Sequence, residues 1–260
     1  MTASTSKNAV PRGKEALQRS IAWYLRQLSR VMSVLSDDEL DRLIPLLTER
    51  TFKPREALFA AGEPAERVYL LLRGRVKIFQ VAENGKEIIL DVVGKGDVVG
   101  DMAVVADGER TASAQAIDDT VAVSITWEDF AHLVQQSPRL AVAMMELMAH
   151  RLAGAQRAFL NLVSKPVSAR LADTLLSRQD ERGFVHLGLT HQELAQTIGT
   201  SRETVTALLS RFVALGAVVP SGIGYRITDE DLLDDIANGE VPVSPRHPVG
   251  AEPGPVVSGG

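Results

Sequence analysis

The pattern of apolar and polar residues divides the chain into helical and strand-rich segments. From 51 to 125, short apolar runs alternate with glycine-bearing turns, and Asn84-Gly85 lies between two of these runs, as in a tight hairpin. Helical spacing precedes this segment at 15–32 and from 36 to about 48, and follows it at 127–136. Many short strands with regular turns predict an antiparallel barrel or jelly roll that has helices before and after it in sequence.

A long helix is predicted next, beginning at Ser137-Pro138 and running to about Ser164, with Pro166 marking its end. Seven apolar residues of this helix are spaced alternately four and three apart, as in a two-stranded coiled coil: Ala141, Met145, Met148, Leu152, Ala155, Phe159 and Leu162. A second apolar row faces another way and is expected to pack on the barrel: Leu140, Ala143, Met144 and Leu147. Two rows need two partners, which favours a parallel homodimer over a helix buried whole in one core.

Two short helices joined by a glycine are predicted from 190 to 211. Thr190 and Glu193 have the spacing of a capping box that opens the first helix, and Gly199 lies where the chain must turn. Thr200 and Glu203 have the same spacing and are expected to open the second helix. This layout is typical of a helix-turn-helix, and an ordinary helical hairpin with a solvated polar face is the alternative.

A hairpin follows this pair of helices. Residues 217–219 read as a strand, 220–224 as a tight turn and 225–228 as the return strand, so the pattern predicts a two-stranded wing. A helix-turn-helix with a wing is a winged helix, which favours DNA binding. On the first turn of its second helix an Arg can bond a guanine edge, a Glu can accept from cytosine, and Ser and Thr can reach phosphate.

A candidate pocket lies in the segment 96–116. Gly100 opens a short helical turn whose free amides suit an anion, and Asp101 on that turn suits sugar hydroxyls. Arg110 adds a bidentate positive charge and Thr111 adds a hydroxyl. Together these are the parts of a pocket for a phosphate and a ribose. The alternative is a surface Arg–Asp pair on a barrel loop.

Composition narrows the class of protein. The chain has 260 residues, a net charge of −5 and no Cys, which suits two domains and excludes disulfides and thiolate-held iron–sulfur clusters. The segment 166–237 contains six Lys and Arg residues and ten Asp and Glu residues, so it is acidic overall. This net negative charge argues against strong non-specific DNA binding. No apolar run is long enough to span a membrane and no secretory signal is present, so a cytoplasmic location with no membrane partner is expected. The five His form no metal-like cluster and the barrel segment contains none, so we expect no metal site and no catalytic cupin, and hence no enzyme.

Two of these segments carry a family resemblance. Residues 100–116 look like the phosphate-binding cassette of the Crp/Fnr superfamily of bacterial transcription regulators, and 201–204, SRET, look like the start of its recognition helix. The resemblance covers residues from about 33 to 237. It implies an α+β fold with an N-terminal cyclic-nucleotide-binding jelly-roll β-barrel, a long dimerisation helix and a C-terminal winged helix-turn-helix. The implied divisions are a partly disordered N-terminal extension at 1–32, an effector domain at 33–137, the dimerisation helix at 138–165, the DNA-binding domain at 166–237 and a disordered tail at 238–260.

The resemblance also implies the roles of individual residues. The implied effector-binding residues are Gly100, Asp101, Met102, Arg110, Thr111, Arg151 and Gln156. The implied DNA-binding residues are Thr190, Gln192, Ser201, Arg202, Glu203 and Thr204, while Ala207 falls where many relatives carry a second base-reading Arg. The implied partners are a palindromic double-stranded operator, a second copy of the chain and RNA polymerase. The implied effector is a cyclic nucleotide, cAMP before others, with no covalent cofactor. The alternative is an effector-independent regulator whose pocket is empty or filled by its own side chains, with Asp101 paired to Arg110.

Overall fold

The computed structural model describes residues 14–104, 108–180, 182–185, 189–222 and 224–245. The chain divides into two compact units. Among the described residues, the first comprises those up to Gln80 together with 91–152, and the second comprises Val81–Leu90 together with those from Ala153 onwards. Disorder is predicted for both ends of the chain, and residues 1–13 and 246–260 of those ends lie outside the described residues.

Short helices precede the barrel in the first unit: α1 (Lys14–Leu28), α2 (Arg30–Ser33), α3 (Asp37–Leu43) and a 3-10 turn (Ile44–Leu46). Ser36 caps α3 in a capping box with Glu39. The predicted helix to about Thr48 ends earlier, because Thr48 already begins the first strand. Ala22 and Leu25 of α1 are buried in the same apolar cluster as strand residues of the barrel, so α1 belongs to the core of this unit.

The barrel segment forms the predicted short strands: β1 (Thr48–Phe52), β2 (Ala57–Phe59), β3 (Arg67–Arg73), β4 (Val76–Val81), β5 (Glu87–Val93), β6 (Val98–Val99), β7 (Ser113–Ala116) and β8 (Thr120–Thr126). They form two four-stranded sheets, ordered β1-β8-β3-β6 and β2-β7-β4-β5. Buried positions alternate along β7 and β8, so Ala114 and Ala122 lie in the apolar interior with Leu71 of β3. This is the predicted jelly-roll barrel.

Two helices follow the barrel: α4 (Trp127–Gln136) and the long α5 (Pro138–Ser164). The predicted bounds of both are confirmed. Leu140 and Ala143 of α5 are buried, and Met144 and Leu147 pack against the core cluster of the first unit. The second apolar row of α5 therefore packs on this unit, as its spacing predicted.

The second unit contains α6 (Val167–Leu176), α7 (His191–Ile198), α8 (Arg202–Ala214) and α9 (Glu230–Asn238). Its strands are β9 (Phe184–Val185), β10 (Val218–Ser221) and β11 (Gly224–Ile227), which form one antiparallel sheet in the order β10-β11-β9. The predicted two-stranded wing was therefore incomplete, since β9 adds a third strand. Ile223, in the predicted turn, lies outside the described residues.

The apolar core of the second unit is formed by residues of its four helices α6–α9 and of its three-stranded sheet. Phe212 of α8 is fully buried at its centre, together with Leu171 of α6, Leu194 of α7 and Leu233 of α9. The chain after α9 also packs, since Val241 and Val243 contact this cluster. The start of the tail for which disorder is predicted from 238 therefore packs on this core as far as Val243.

Candidate functional site

The guanidinium of Arg110 is buried, with 6% of the residue exposed. Its Nη1 donates to the carbonyl of Gly100 at 2.9 Å, its Nη2 donates to the carbonyl of Arg67 at 2.6 Å, and the group lies 3.9 Å from the ring centroid of Phe59. Burial lowers the pKa of the Arg110 guanidinium. The Nε atom has no partner among the described residues. A buried cation whose Nε–H has no acceptor suits an anionic ligand.

Gly100 holds this arginine in place. Its φ is +88°, a conformation that side-chain-bearing residues rarely adopt. A Cβ added at Gly100 would lie 2.5 Å from Nη1 of Arg110 and 3.1 Å from the carbonyl oxygen of Arg67. Glycine is therefore required both by the backbone conformation and by the close approach of the guanidinium. The predicted helical turn follows directly, as a 3-10 helix at Asp101–Val104.

Asp101 is paired with the long helix. Its side chain is 1% exposed, and both its oxygens accept from Nη1 of Arg151, at 2.7 and 2.9 Å. Nη2 of Arg151 donates to the carbonyl of Val98. The alternative pairing of Asp101 with Arg110 is therefore wrong: each arginine has its own acceptors. The two carboxylate oxygens have more lone pairs than Arg151 uses, so Asp101 can accept a further hydrogen bond from a ligand hydroxyl.

The remaining predicted effector residues are less enclosed. Met102 is 40% exposed, and Thr111 is exposed beside Arg110 with its carbonyl bonded to Gln80. Gln156 is exposed on the part of α5 that belongs to the second unit. The structure thus brings Gly100, Asp101, Arg110 and Arg151 together. Sequence reasoning missed the two backbone carbonyls, of Arg67 and Val98, that orient the arginines, because backbone acceptors leave no trace in residue type.

The predicted dimer row of α5 is a chain of exposed apolar side chains. Met145, Leu152, Phe159 and Leu162 are 63, 60, 66 and 51% exposed, Ala155 is exposed, and Ala141 and Met148 are half-buried. Large apolar side chains exposed in a continuous row mark an interaction surface. Most of the row is thus left uncovered by the described residues, while the other apolar row of the same helix is packed.

The helix pair at 190–214 has the predicted layout with one change. Thr190 and Glu193 form the predicted capping box, and Gly199 ends α7 at a φ of +69°. The second capping box, predicted for Thr200 and Glu203, is wrong. The amide of Thr200 still donates to the carbonyl of Ala195, in the turn that ends α7, and α8 is capped by Ser201, which accepts from the amide of Thr204.

The first turn of α8 presents polar groups to solvent. Arg202, Glu203 and, one turn later, Thr206 are exposed, while Val205, Leu208, Leu209 and Phe212 are buried on the opposite side. Hydrogen bonds to its own backbone amide and to Ser201 lower the pKa of the Glu203 carboxyl, so it is ionised at neutral pH. Gln192 is exposed at the start of α7. The outward face of α8 therefore carries one cation, one anion and hydroxyls, the groups that read base edges and phosphates.

The described residues hold neither a metal cluster nor a membrane span. No group of three or more His, Asp or Glu side chains is placed to bind a metal ion. No helix in this part of the chain combines the length and apolar character needed to cross a bilayer.

Comparisons with known proteins match both units. Residues 49–137 match the model of the cyclic nucleotide-binding domain, and residues 169–236 match that of the Crp-like helix-turn-helix domain. The chain is similar to the CRP-like cAMP-activated global transcriptional regulator of Mycobacterium tuberculosis, with 31% identity over 189 residues, 70% of this chain and 84% of that protein. It is also similar to the cyclic AMP receptor protein of Thermus thermophilus, with 30% identity over 205 residues, 79% of this chain and 95% of that protein.

Solved structures show the same fold. FixK2 from Bradyrhizobium japonicum superposes with a TM-score of 0.67 at 24% identity, covering 73% of this chain and 96% of FixK2. The chain matches two domain families in this order, its relatives span most of its length, and FixK2 shares its fold. The chain therefore belongs to the Crp/Fnr superfamily of transcription regulators.

Proposed function

We propose that this regulator binds a palindromic operator as a homodimer and that a cyclic nucleotide, cAMP before others, is its effector. The observation that carries the effector proposal is the buried Arg110, whose Nε has no partner among the described residues, next to the short helix at Asp101. A phosphate would use the free donor and the helix amides, and a ribose hydroxyl would donate to Asp101. The names of the relatives from Mycobacterium tuberculosis and Thermus thermophilus support the same nucleotide.

One observation favours an effector-independent regulator instead. Both Nη atoms of Arg110 already have carbonyl acceptors, and Asp101 already has Arg151. Polar groups that already have partners within the protein need no ligand to be stable, and in this pocket only Nε of Arg110 lacks one among the described residues. The two proposals differ in whether the free donor on Arg110 is filled by a phosphate, and calorimetry with cyclic nucleotides separates them.

The dimer proposal rests on the exposed row of α5. Burying Met145, Leu152 and Phe159 against a second copy would remove apolar area that one chain leaves in water. A two-fold axis along this row would give a pair of α8 helices related by symmetry. The operator would then be palindromic, with half-sites about one helical turn, roughly 34 Å, apart. We further propose that the DNA-bound dimer acts on RNA polymerase in the bacterial cytoplasm.

Arg202 and Glu203 are the proposed base-reading residues of α8. Both are exposed on its first turn, where helix-turn-helix proteins enter the major groove. Ala207, one turn on, offers no hydrogen bond where many members of the superfamily have a second arginine. The half-site of this protein should therefore contain one fewer arginine-specified guanine than the half-sites of those members.

Selection from a random DNA pool tests the DNA-binding proposal. The wild type should enrich a palindrome, and Arg202→Ala should lose preference at one base pair per half-site, at about 1–3 kcal/mol for each bidentate contact. Ser210→Ala is the matched control, because Ser210 is exposed on the same helix and its hydroxyl bonds only to the backbone of Thr206 among the described residues. A pool without a palindrome, or the same motif with Arg202→Ala, would contradict the proposal.

A further inference from the structure

His191, the first residue of α7, contacts the exposed face of α8. Its Nδ1 lies 2.9 Å from the hydroxyl oxygen of Thr206. That hydroxyl also lies 2.9 Å from the carbonyl oxygen of Arg202. The hydroxyl has one proton and the carbonyl can only accept, so the hydroxyl donates to the carbonyl. Thr206 therefore accepts from His191, and the ring proton is assigned to Nδ1.

This hydrogen bond determines where a second proton can go. Because Nδ1 is already a donor, protonation of the imidazole adds a proton only at Nε2. The contact with Thr206 is the same in both charge states, so the ring keeps its orientation when it becomes a cation. Histidine is the side chain whose charge ordinarily changes between pH 5 and 8. His191 thus has the geometry of an oriented donor whose charge can change in place.

No carboxylate of the protein takes up Nε2 within the described part of the chain. The charged residues of α7 and of the helices packed against it, α6 and α8, are Glu193, Arg170, Asp173, Arg202, Glu203 and Arg211. Glu87 of β5 also contacts α7, and its Oε2 lies 3.5 Å from Nε2 of Gln196. Glu193 bonds to Thr190, Arg170 to the carbonyls of Ile198 and Lys165, and Asp173 to Lys165. None of the ion pairs among the described residues includes His191. The position of His191 at a helix start also disfavours a cation unless an anion is near.

An anion is expected at this place when the protein is on DNA. Thr206 lies one turn after Arg202 on the exposed side of α8, so His191 stands beside the proposed base-reading stripe. In helix-turn-helix complexes the first helix of the pair crosses the DNA backbone while the second enters the groove. A phosphate beside His191 would receive Nε2–H and would remove the penalty for a cation at the helix start.

We propose that His191, oriented by Thr206, is a phosphate-binding residue that takes up a proton at Nε2 when the operator binds, so that operator affinity rises as the pH falls. The proposal rests on the proposed function. It assigns Thr206 as a positioning residue, which acts through the imidazole and does not itself contact DNA.

The test measures operator affinity at pH 8 and pH 6 at constant ionic strength, on the operator that the wild type selects. Wild-type affinity should rise at pH 6 by about tenfold for each half-site, the effect of one charge-assisted hydrogen bond, and so by about a hundredfold for the dimer on its two-half-site operator. The slope of log affinity against log salt concentration should become steeper by about 0.9 for each additional phosphate that the protein neutralises. In His191→Asn the amide nitrogen takes the place of Nδ1 and still donates to Thr206, but it does not titrate. This variant should match the wild type at pH 8 and show a flat pH profile.

Two further measurements keep the outcomes distinct. Calorimetry of operator binding in buffers of different ionisation enthalpy should detect proton uptake by the wild type and none by His191→Asn. Thr206→Val, which removes the acceptor, should weaken the pH response, while Thr206→Ser should restore it. Equal pH profiles for the wild type and His191→Asn would overturn the proposal. Failure of the wild type to select any DNA would instead overturn the proposed function, and this proposal with it.

Discussion

Leu152→Asp is expected to convert the dimer to a monomer and to abolish binding to a two-half-site operator. Leu152 lies in the middle of the apolar row of α5 and is 60% exposed in the single chain. In a two-fold dimer the substitution would bury a carboxylate from each subunit without a cation partner, at a cost of several kcal/mol, roughly 3–5. Sedimentation measures the mass, and gel shift with the selected operator measures the binding.

His150→Asp is the matched control for this substitution. His150 is exposed on the same helix, two residues earlier, and lies on the opposite side from the heptad row. The same new charge there should leave the dimer mass and the operator affinity close to wild type. An undiminished dimer in Leu152→Asp would show that the row is not the dimer interface, even if DNA binding by α8 stands.

Arg110→Ala is expected to weaken the binding of cAMP sharply. A charge-assisted contact to a phosphate contributes about 1.5–3 kcal/mol, so affinity should fall by about tenfold or more. The substitution also leaves the carbonyls of Gly100 and Arg67 without their donors and removes the cation from the face of Phe59. Calorimetric titration of cAMP and cGMP into the wild type and the variant measures the loss.

Arg75→Ala provides the control for loss of a barrel arginine, because Arg75 pairs with Asp118 away from Gly100 and Asp101. This variant should bind nucleotide as the wild type does. The effector proposal fails if the wild type shows no binding of cAMP or cGMP at about millimolar concentration. A Kd of about 1 mM corresponds to a binding free energy of roughly −4 kcal/mol. The operator experiments would be unaffected.

Local patterns predicted most of the fold, because each depends on residues close in sequence. The bounds of α4 and α5 and the capping box at Thr190 follow from helical spacing and cap chemistry. The start of α8 was predicted one residue early. Both Thr200 and Ser201 are good cap residues followed by suitable partners, and only the turn that ends α7, through the amide of Thr200, decides between them.

The pocket was predicted in its residue types but not in its pairings. Asp101 and Arg151 are 50 residues apart, and only the packing of α5 on the barrel brings them together. The third strand of the wing, Phe184–Val185, is two residues long and therefore has no periodicity that a sequence can show. Arg110 could be singled out from its residue type and position, but its carbonyl partners come from the backbone and cannot be inferred from side-chain pattern.

The adjacency of Arg151 and Leu152 has a consequence for how two subunits would respond to ligand. Arg151 is bonded to the pocket carboxylate, and the next residue lies in the row that a dimer would share. A hydroxyl that competes for Asp101 would therefore act on a helix segment in direct contact with the other subunit. By thermodynamic linkage, each pocket would then sense the occupancy of the other, and saturation of the dimer would depart from a simple hyperbola.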